Sequence, residues 1–366
     1  MKSLYLLFLY ALAAIQTQAQ TPRLDEESVD LEALYLAIDD AISQSPQYVA
    51  LREQQIDTCH DRLLSEKDPL KSIQLAEELF RLYEPYINDS AFYYAERCIS
   101  LADSLHRPDL TARFRSLLAY QYSRSDMPTE SLEQLRAVNR SALDKTGLVN
   151  YYHAWMHVCG ELGVYSHRQD DRQRHYDQQN LYRDSVLMVA QEGSEEWYHL
   201  KVDILSARRL YQDALKLSNQ WIKRTKDGTH DSAYAAFYRS MVYDNLNNHD
   251  MVCYWLGKSA LDDIRCAVMN QASLLFLAEH LAEDGDIERA NRYMDFAKEC
   301  NLTFSSRLRN YQVNSVLNIT EKSNQATEAH ANQLLTIAGI VIIILFLALL
   351  FALLRIRKIK RLTNKL

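Results

Sequence analysis

Two histidines four residues apart, in His153-Ala-Trp-Met-His157, have the spacing that puts two imidazoles on one helical face, with Cys159, His167 and His175 close by. That is half of a zinc site, which needs a third ligand brought in by the fold. Nothing in the sequence supplies one, so structural or surface histidines are the preferred reading, and no metal or cofactor is expected. The carboxylate pairs Asp39-Asp40, Asp170-Asp171 and Asp262-Asp263 are adjacent rather than facing, which suits solvated helix faces better than an acid/base couple. No GxxxxGK[ST], GxSxG, HExxH or GxGxxG motif occurs. With 8 Gly in 366 residues, phosphate-cradling loops have little to be built from. An enzyme is not expected.

The 23 tyrosines are the more informative excess. Tyr83, Tyr86, Tyr93, Tyr94, Tyr120 and Tyr122 crowd one region, and Tyr234, Tyr238, Tyr243 and Tyr254 another. Tyr offers a large rigid contact surface with a hydroxyl at its tip, suited to the concave face of a helical array, although most of these should pack between helices.

The elements that must position these side chains are helices. Only 8 Gly and 6 Pro are too few for the turns of an all-β protein. Leu31, Leu34, Ala37, Ile38 and Ile42 recur at three and four, and Ser45-Pro46 has the form of a second helix start, so residues 20–67 are expected to make an N-terminal helical hairpin. Asp68-Pro69 opens the next helix. A helical-repeat domain is expected over residues 68–304. Its units lock in period: Ala91 and Ser131 are forty apart, and Ala214, Val252 and Ala290 are thirty-eight apart. Leu205, Tyr243 and Leu281, and then Leu217, Trp255 and Tyr293, keep the same period. The least regular part runs from Asn150 to Glu192, where the polar stretch HRQDDRQRHYDQQ is read as separating two helices.

The clearest unit, FLAEHLAEDGDIERANRYMDFAKE, carries Leu277, Ala278, Leu281, Gly285, Ala290, Met294 and Ala297 as repeat-packing positions. In that pattern it resembles a tetratricopeptide repeat, with Gly285 supplying the left-handed residue of a tight turn and Ala290 and Ala297 letting helices approach closely. The fold class expected is all-α, a tetratricopeptide-like helical-repeat solenoid followed by one transmembrane helix.

That transmembrane helix is Leu334 to Leu354, an uncharged run of twenty-one residues, roughly 31 Å long as a helix and matched to a bilayer core. A stalk over 305–333 leads into it. Residues 355–366 form a short basic tail with Arg355, Arg357, Lys358, Lys360 and Arg361, followed by Lys365. Excess cations stay on the cytoplasmic side. Lys2 and the apolar run Leu4–Ile15 before Thr17-Gln18-Ala19 read as a signal peptide over residues 1–19. The expected location is a bacterial inner membrane, single-pass, with the N-terminal domain periplasmic. Removing Lys2 and the six tail cations from the formal charge of −7 leaves −14 outside, which argues against nucleic acid as a direct partner. The six cysteines are scattered with no CxxC pair and are read as buried thiols.

Taken together, the strings LEALYLAIDDAISQSPQYVALREQQID, YEPYINDSAFYYAERCISLADSL and LAEDGDIERANRYMDFAKECN make the chain similar to a family of Bacteroidetes envelope proteins catalogued as a domain of unknown function. That resemblance implies a membrane-bound regulator with a periplasmic repeat domain, one span, and a cytoplasmic coiled coil that in many members ends in a DNA-binding domain. It implies no catalytic residues. Only twelve residues follow the span here, so either the chain continues or it reports through another protein. The expected function is a non-enzymatic envelope protein that binds a protein or peptide, as a sensor or alternatively as a scaffold for an envelope complex.

Overall fold

The computed structural model describes residues 29–304 and scattered helical residues between 335 and 357. Asp30 starts the first helix, α1 (Leu31–Ser65), by accepting a 3.0 Å hydrogen bond from the Ala33 N–H. Six helix pairs follow. They are α2 (Pro69–Tyr83) with α3 (Asn88–Ser104), α4 (Pro108–Arg124) with α5 (Pro128–Arg136), and α6 (Lys145–Tyr165) with α7 (Gln169–Val189). Then come α8 (Glu195–Ala207) with α9 (Tyr211–Ile222), α10 (His230–Asn245) with α11 (His249–Arg265), and α12 (Ala272–Glu283) with α13 (Ile287–Phe304). Among the described residues there is no strand.

The hairpin expected over residues 20–67 is replaced, in its described part, by one continuous helix with Pro46 inside it. An interior proline costs a helix about 3 kcal/mol. Packing on both sides of the proline offsets that cost. Leu34, Tyr35, Ile38 and Ala41 are buried in the core built by α8 to α13, while Ile56, Cys59 and Leu63 are buried in the core built by α2 to α4. Arg52, between the two halves, donates to the carbonyls of Leu82 at 3.3 Å and Cys266 at 2.6 Å. Gly257 of α11 makes the approach possible, since a Cβ there would lie 2.8 Å from the Leu34 side chain.

That second core also contains Ala267 and Met269 from the α11–α12 loop and Cys300 and Phe304 from α13, and the Met269 N–H donates to the Pro85 carbonyl at 2.8 Å. The last pair therefore packs on the first, with α1 strapped across the junction.

Within the pairs, the period-locked positions lie at the helix contacts. Ala91, Ser131, Ala214 and Ala290 are fully buried and Val252 nearly so. Leu277, Ala278, Leu281, Met294 and Ala297 are buried as well. The turns share one hydrogen bond: the carbonyls of Tyr122, Leu205, Tyr243 and Leu281 accept from the N–H groups of Met127, Leu210, Asn248 and Asp286. This closure needs one left-handed residue. Gly285 supplies it at φ +91°, but Asp126 (+61°), Arg209 (+60°) and Asn247 (+53°) do the same without being glycine.

The polar stretch after Ser166 does not separate helices: from Gln169 it is α7 itself. Only Val186 of that helix is buried. It is held on α6 because Tyr176 and Gln179 lie over Gly163 and Gly160, where a Cβ would come within 2.5 and 2.6 Å of them. All six cysteines are free, and all but Cys266 are buried.

The residues expected as a signal peptide (1–19) and a stalk (305–333), and Leu334, Leu354, Lys358, Lys360, Arg361 and Lys365, lie outside the described residues. Among the described residues no helix is long and apolar enough to cross a membrane. Those between Leu335 and Phe351 are helical, and Arg355 and Arg357 are helical too.

Candidate partner-binding groove

The first helices of successive pairs each turn an aromatic or imidazole ring to one shared face. Tyr120 of α4 stacks on His153 of α6 with ring centroids 4.7 Å apart and meets His157 edge-on at 5.2 Å. His153 contacts His199 of α8 at 6.2 Å. His199 lies 4.1 Å from Tyr238 and 5.6 Å from Tyr234, both on α10. Trp221 backs these tyrosines at 5.8 and 6.0 Å, and Phe237 carries the series to Phe276 of α12 at 6.0 Å. Each such ring pair contributes about 0.5–1.5 kcal/mol beyond the area it buries. The series is a ladder across five consecutive pairs.

Tyr120, His153, Tyr234 and Tyr238 are crowded on nearly every side yet keep part of their surface in solvent, as residues on a concave face do. Their surroundings set their protonation. Burial pushes all three tyrosines above the usual phenol range. Burial also pulls His153 down to about 4, and burial together with the neighbouring His153 and His157 pulls His199 down to about 3. Both imidazoles are neutral at pH 7. The Tyr234 hydroxyl lies 3.3 Å from His199 Nδ1 and 3.4 Å from the Tyr238 hydroxyl.

Charged groups gather beside the ladder. Glu84 is paired with Arg124 at 3.5 Å and with Arg81 at 3.2 Å. His230 Nδ1 lies 2.7 Å from Asp263 Oδ1. Burial opposes the His230 charge, but the Asp263 carboxylate more than offsets it and raises the imidazole pKa. Glu195, Glu196 and Asp231 have no ion pair among the described residues. Glu195 is exposed, yet the surrounding protein, then Asp231 and Glu196, push its carboxyl up to about 7, with His230 opposing them. The site thus holds acids outside any ion pair, with His230 near enough to favour the ionised Glu195, beside aromatic faces that attract cations.

Of the residues singled out in the sequence, His153 and His157 are in this groove but their neighbours are rings and Ser123, whose hydroxyl is 2.7 Å from His157 Nδ1. Cys159 turns instead toward Gln178, and His167 is exposed. Among the described residues the one grouping of three potential metal donors lies elsewhere, at His249, Cys253 and Asp284. Asp262 and Asp263 diverge, Asp263 to His230 and Asp262 into the core. Tyr120, Tyr234 and Tyr238 line the groove, whereas Tyr83 and Tyr94 stack on each other and Tyr86 bonds Glu53. Sequence reasoning missed His199, Trp221, Glu195 and His230. A signal for His199 existed: it precedes Phe237 by the same thirty-eight residues that separate Leu205 from Tyr243.

The profile of the SusR N-terminal TPR domain matches residues 42–315. The chain belongs to that family. A SusR-type TPR domain supports a protein-interaction or sensing role, and its family match starts within α1 and covers every helix pair. A search of curated proteins finds no match to the chain.

Proposed function

We propose that this SusR-type domain is the periplasmic sensor of a non-enzymatic, single-pass protein of a bacterial inner membrane. Its ligand is a peptide or protein segment that presents a Lys or Arg side chain among apolar residues. The carrying observation is the ladder from Tyr120 to Tyr238 beside Glu195, Glu196 and Asp231, three acids that form no ion pair among the described residues. A cation set over the tyrosine rings and against Glu195 would gain about 1–2 kcal/mol from the rings alone once desolvated. It would also return Glu195 to its ionised form. The membrane part of the reading is supported by the uncharged run between Leu334 and Leu354, in which the described Ile, Leu and Phe side chains are exposed, and by the basic residues that follow.

Peptide display against the purified chain tests the ligand class. Selected sequences should carry a basic residue flanked by apolar ones, and Tyr238→Ala should weaken them about tenfold, as loss of about 1.4 kcal/mol does. Selection of peptides without basic residues, or binding indifferent to Tyr238→Ala, would overturn the assignment.

A further inference from the structure

We propose that His249, Cys253 and Asp284 form a binding site for a divalent transition metal, zinc in the first place, away from the groove. His249 is the first residue of α11 and Cys253 lies one turn on, along the same face. Asp284 is the residue that ends α12, carried to the same point because the α10–α11 and α12–α13 turns are stacked copies of one turn. One donor atom from each of the three falls within 4.8 Å of the other two. His249 Nε2 lies 2.7 Å from Asp284 Oδ2 and 3.6 Å from Cys253 Sγ.

The donor set is selective. Bonds of about 2.0–2.3 Å to a tetrahedral ion put its ligand atoms roughly 3.5 Å apart. The thiol–imidazole distance already has that value, and the carboxylate must retreat by less than about 1 Å. It is free to do so, since the His249 and Asp284 side chains are nearly half exposed. Cys253 is buried and forms the floor, so an ion entering from solvent would meet imidazole and carboxylate first and thiol last. A nitrogen, a thiolate and one carboxylate favour zinc or its neighbours over calcium or magnesium, which take oxygen cages.

A second observation points to the same spot. His280, one turn before Asp284, sets its ring edge-on to His249 at 5.2 Å, and its Nδ1 is buried without a hydrogen bond. Its Nδ1 lies 3.9 Å from a Glu283 carboxylate oxygen, so His280 neighbours the site and water completes the shell. Binding releases the Cys253 proton to solvent, and the His249–Asp284 hydrogen bond gives way to two metal bonds. Tyr35 of α1 is buried in the same core as Cys253 and interacts with the thiol. An ion here would therefore tie the turn before α11 to the end of α12, directly over the contact with α1.

The test uses the full chain, purified in mild detergent, stripped by a chelator and titrated with Co2+ as the probe. One equivalent should give tetrahedral visible bands and a near-ultraviolet thiolate-to-cobalt band, both bleached by Zn2+. Cys253→Ser, close in size to the native side chain, should abolish the thiolate band, and His249→Gln should weaken binding at least tenfold. Both variants must retain the helical circular dichroism of the parent, and Zn2+ should raise the melting temperature of the parent alone. A parent chain without the thiolate band overturns the proposal, as does a band that survives Cys253→Ser because it arises at the more accessible Cys266.

Discussion

His199 offers the sharpest handle on the groove. It is 9% exposed, touches Tyr234, Tyr238 and His153, and has its pKa pulled down to about 3 by burial and by its histidine neighbours. An unfolded histidine takes up its proton near pH 6.5. The sign follows: between pH 6.5 and 3 the unfolded chain holds a proton that folded His199 refuses, so stability is full above pH 6.5 and falls as pH drops through that window. At pH 4.5 two units of the window have been crossed, which at about 1.4 kcal/mol per unit is a loss of roughly 2.8 kcal/mol from this residue. That is a large share of the 5–15 kcal/mol usual for a domain. His199→Phe keeps a ring against Tyr238 and removes the titration. At pH 7.5 the variant should be the less stable by about 1 kcal/mol, for the lost hydrogen bond to Tyr234. At pH 4.5 it should be the more stable. The assay is urea unfolding followed by circular dichroism at several pH values between these two. Parent and variant curves that stay parallel from pH 7.5 to 4.5 would refute the placement of His199 as a buried neutral imidazole.

Other expectations concern the turns, the core, the strap and the acids. Gly285 has φ +91° and open space where a Cβ would go, so Gly285→Ala should cost about 1 kcal/mol through the backbone alone, while Arg209→Gly should gain about as much. Thermal melts read both, and a neutral Gly285→Ala would count against the shared turn. Buried Arg239 donates to the Leu215 carbonyl, Ser218 and Tyr243, and lies 4.6 Å over the Trp255 ring. Arg239→Met should therefore cost about 2–3 kcal/mol in urea unfolding, mostly from stranded partners. Arg52→Ala should speed hydrogen exchange of the Met269 amide, which bonds Pro85, at least tenfold while leaving α8 unchanged; equal rates would mean that α1 does not strap the ends together. Glu195 has a raised folded pKa, so its stability is present below pH 4.5 and lost as pH rises through about 7. Glu195→Gln should stabilise the chain at pH 8 by about 1 kcal/mol, a figure kept small because the carboxylate reaches solvent, and by nothing at pH 4.

What could be read beforehand was whatever repeats. Ala214, Val252 and Ala290 recur because each second helix needs a small or slim residue where it crosses the first, and the constraint marks a single sequence. Pro46 misled because its effect is local, whereas the contacts that anchor α1 as one helix include those to Leu82 and Cys266, the latter more than two hundred residues away. The polar helix α7 was read as a break because its first half packs over the glycines of its partner, Gly160 and Gly163, and its own apolar contacts, Tyr182, Val186 and Leu187, come only near its end. The groove was half visible. Tyr120, Tyr234 and Tyr238 stood out by type, but which tyrosine faces inward depends on the rotation of each helix about its axis. His199 keeps the thirty-eight-residue period with Phe237 but changes residue type, and Glu195 corresponds to Ala233, so neither shows as a repeated type. The cluster at His249, Cys253 and Asp284 joins residues of two turns, and only the stacking of those turns brings them together.

The central claim is that the face bearing Tyr120, His199 and Tyr238 receives a segment of another protein. A photocrosslinking amino acid placed in living cells at position 238, and in parallel at Leu181 on the exposed side of α7, tests it most directly. The account predicts a discrete crosslinked partner from position 238, lost when Tyr120→Ala and Tyr234→Ala are added, and none from position 181. Crosslinks that form from position 181 and not from 238 would contradict it.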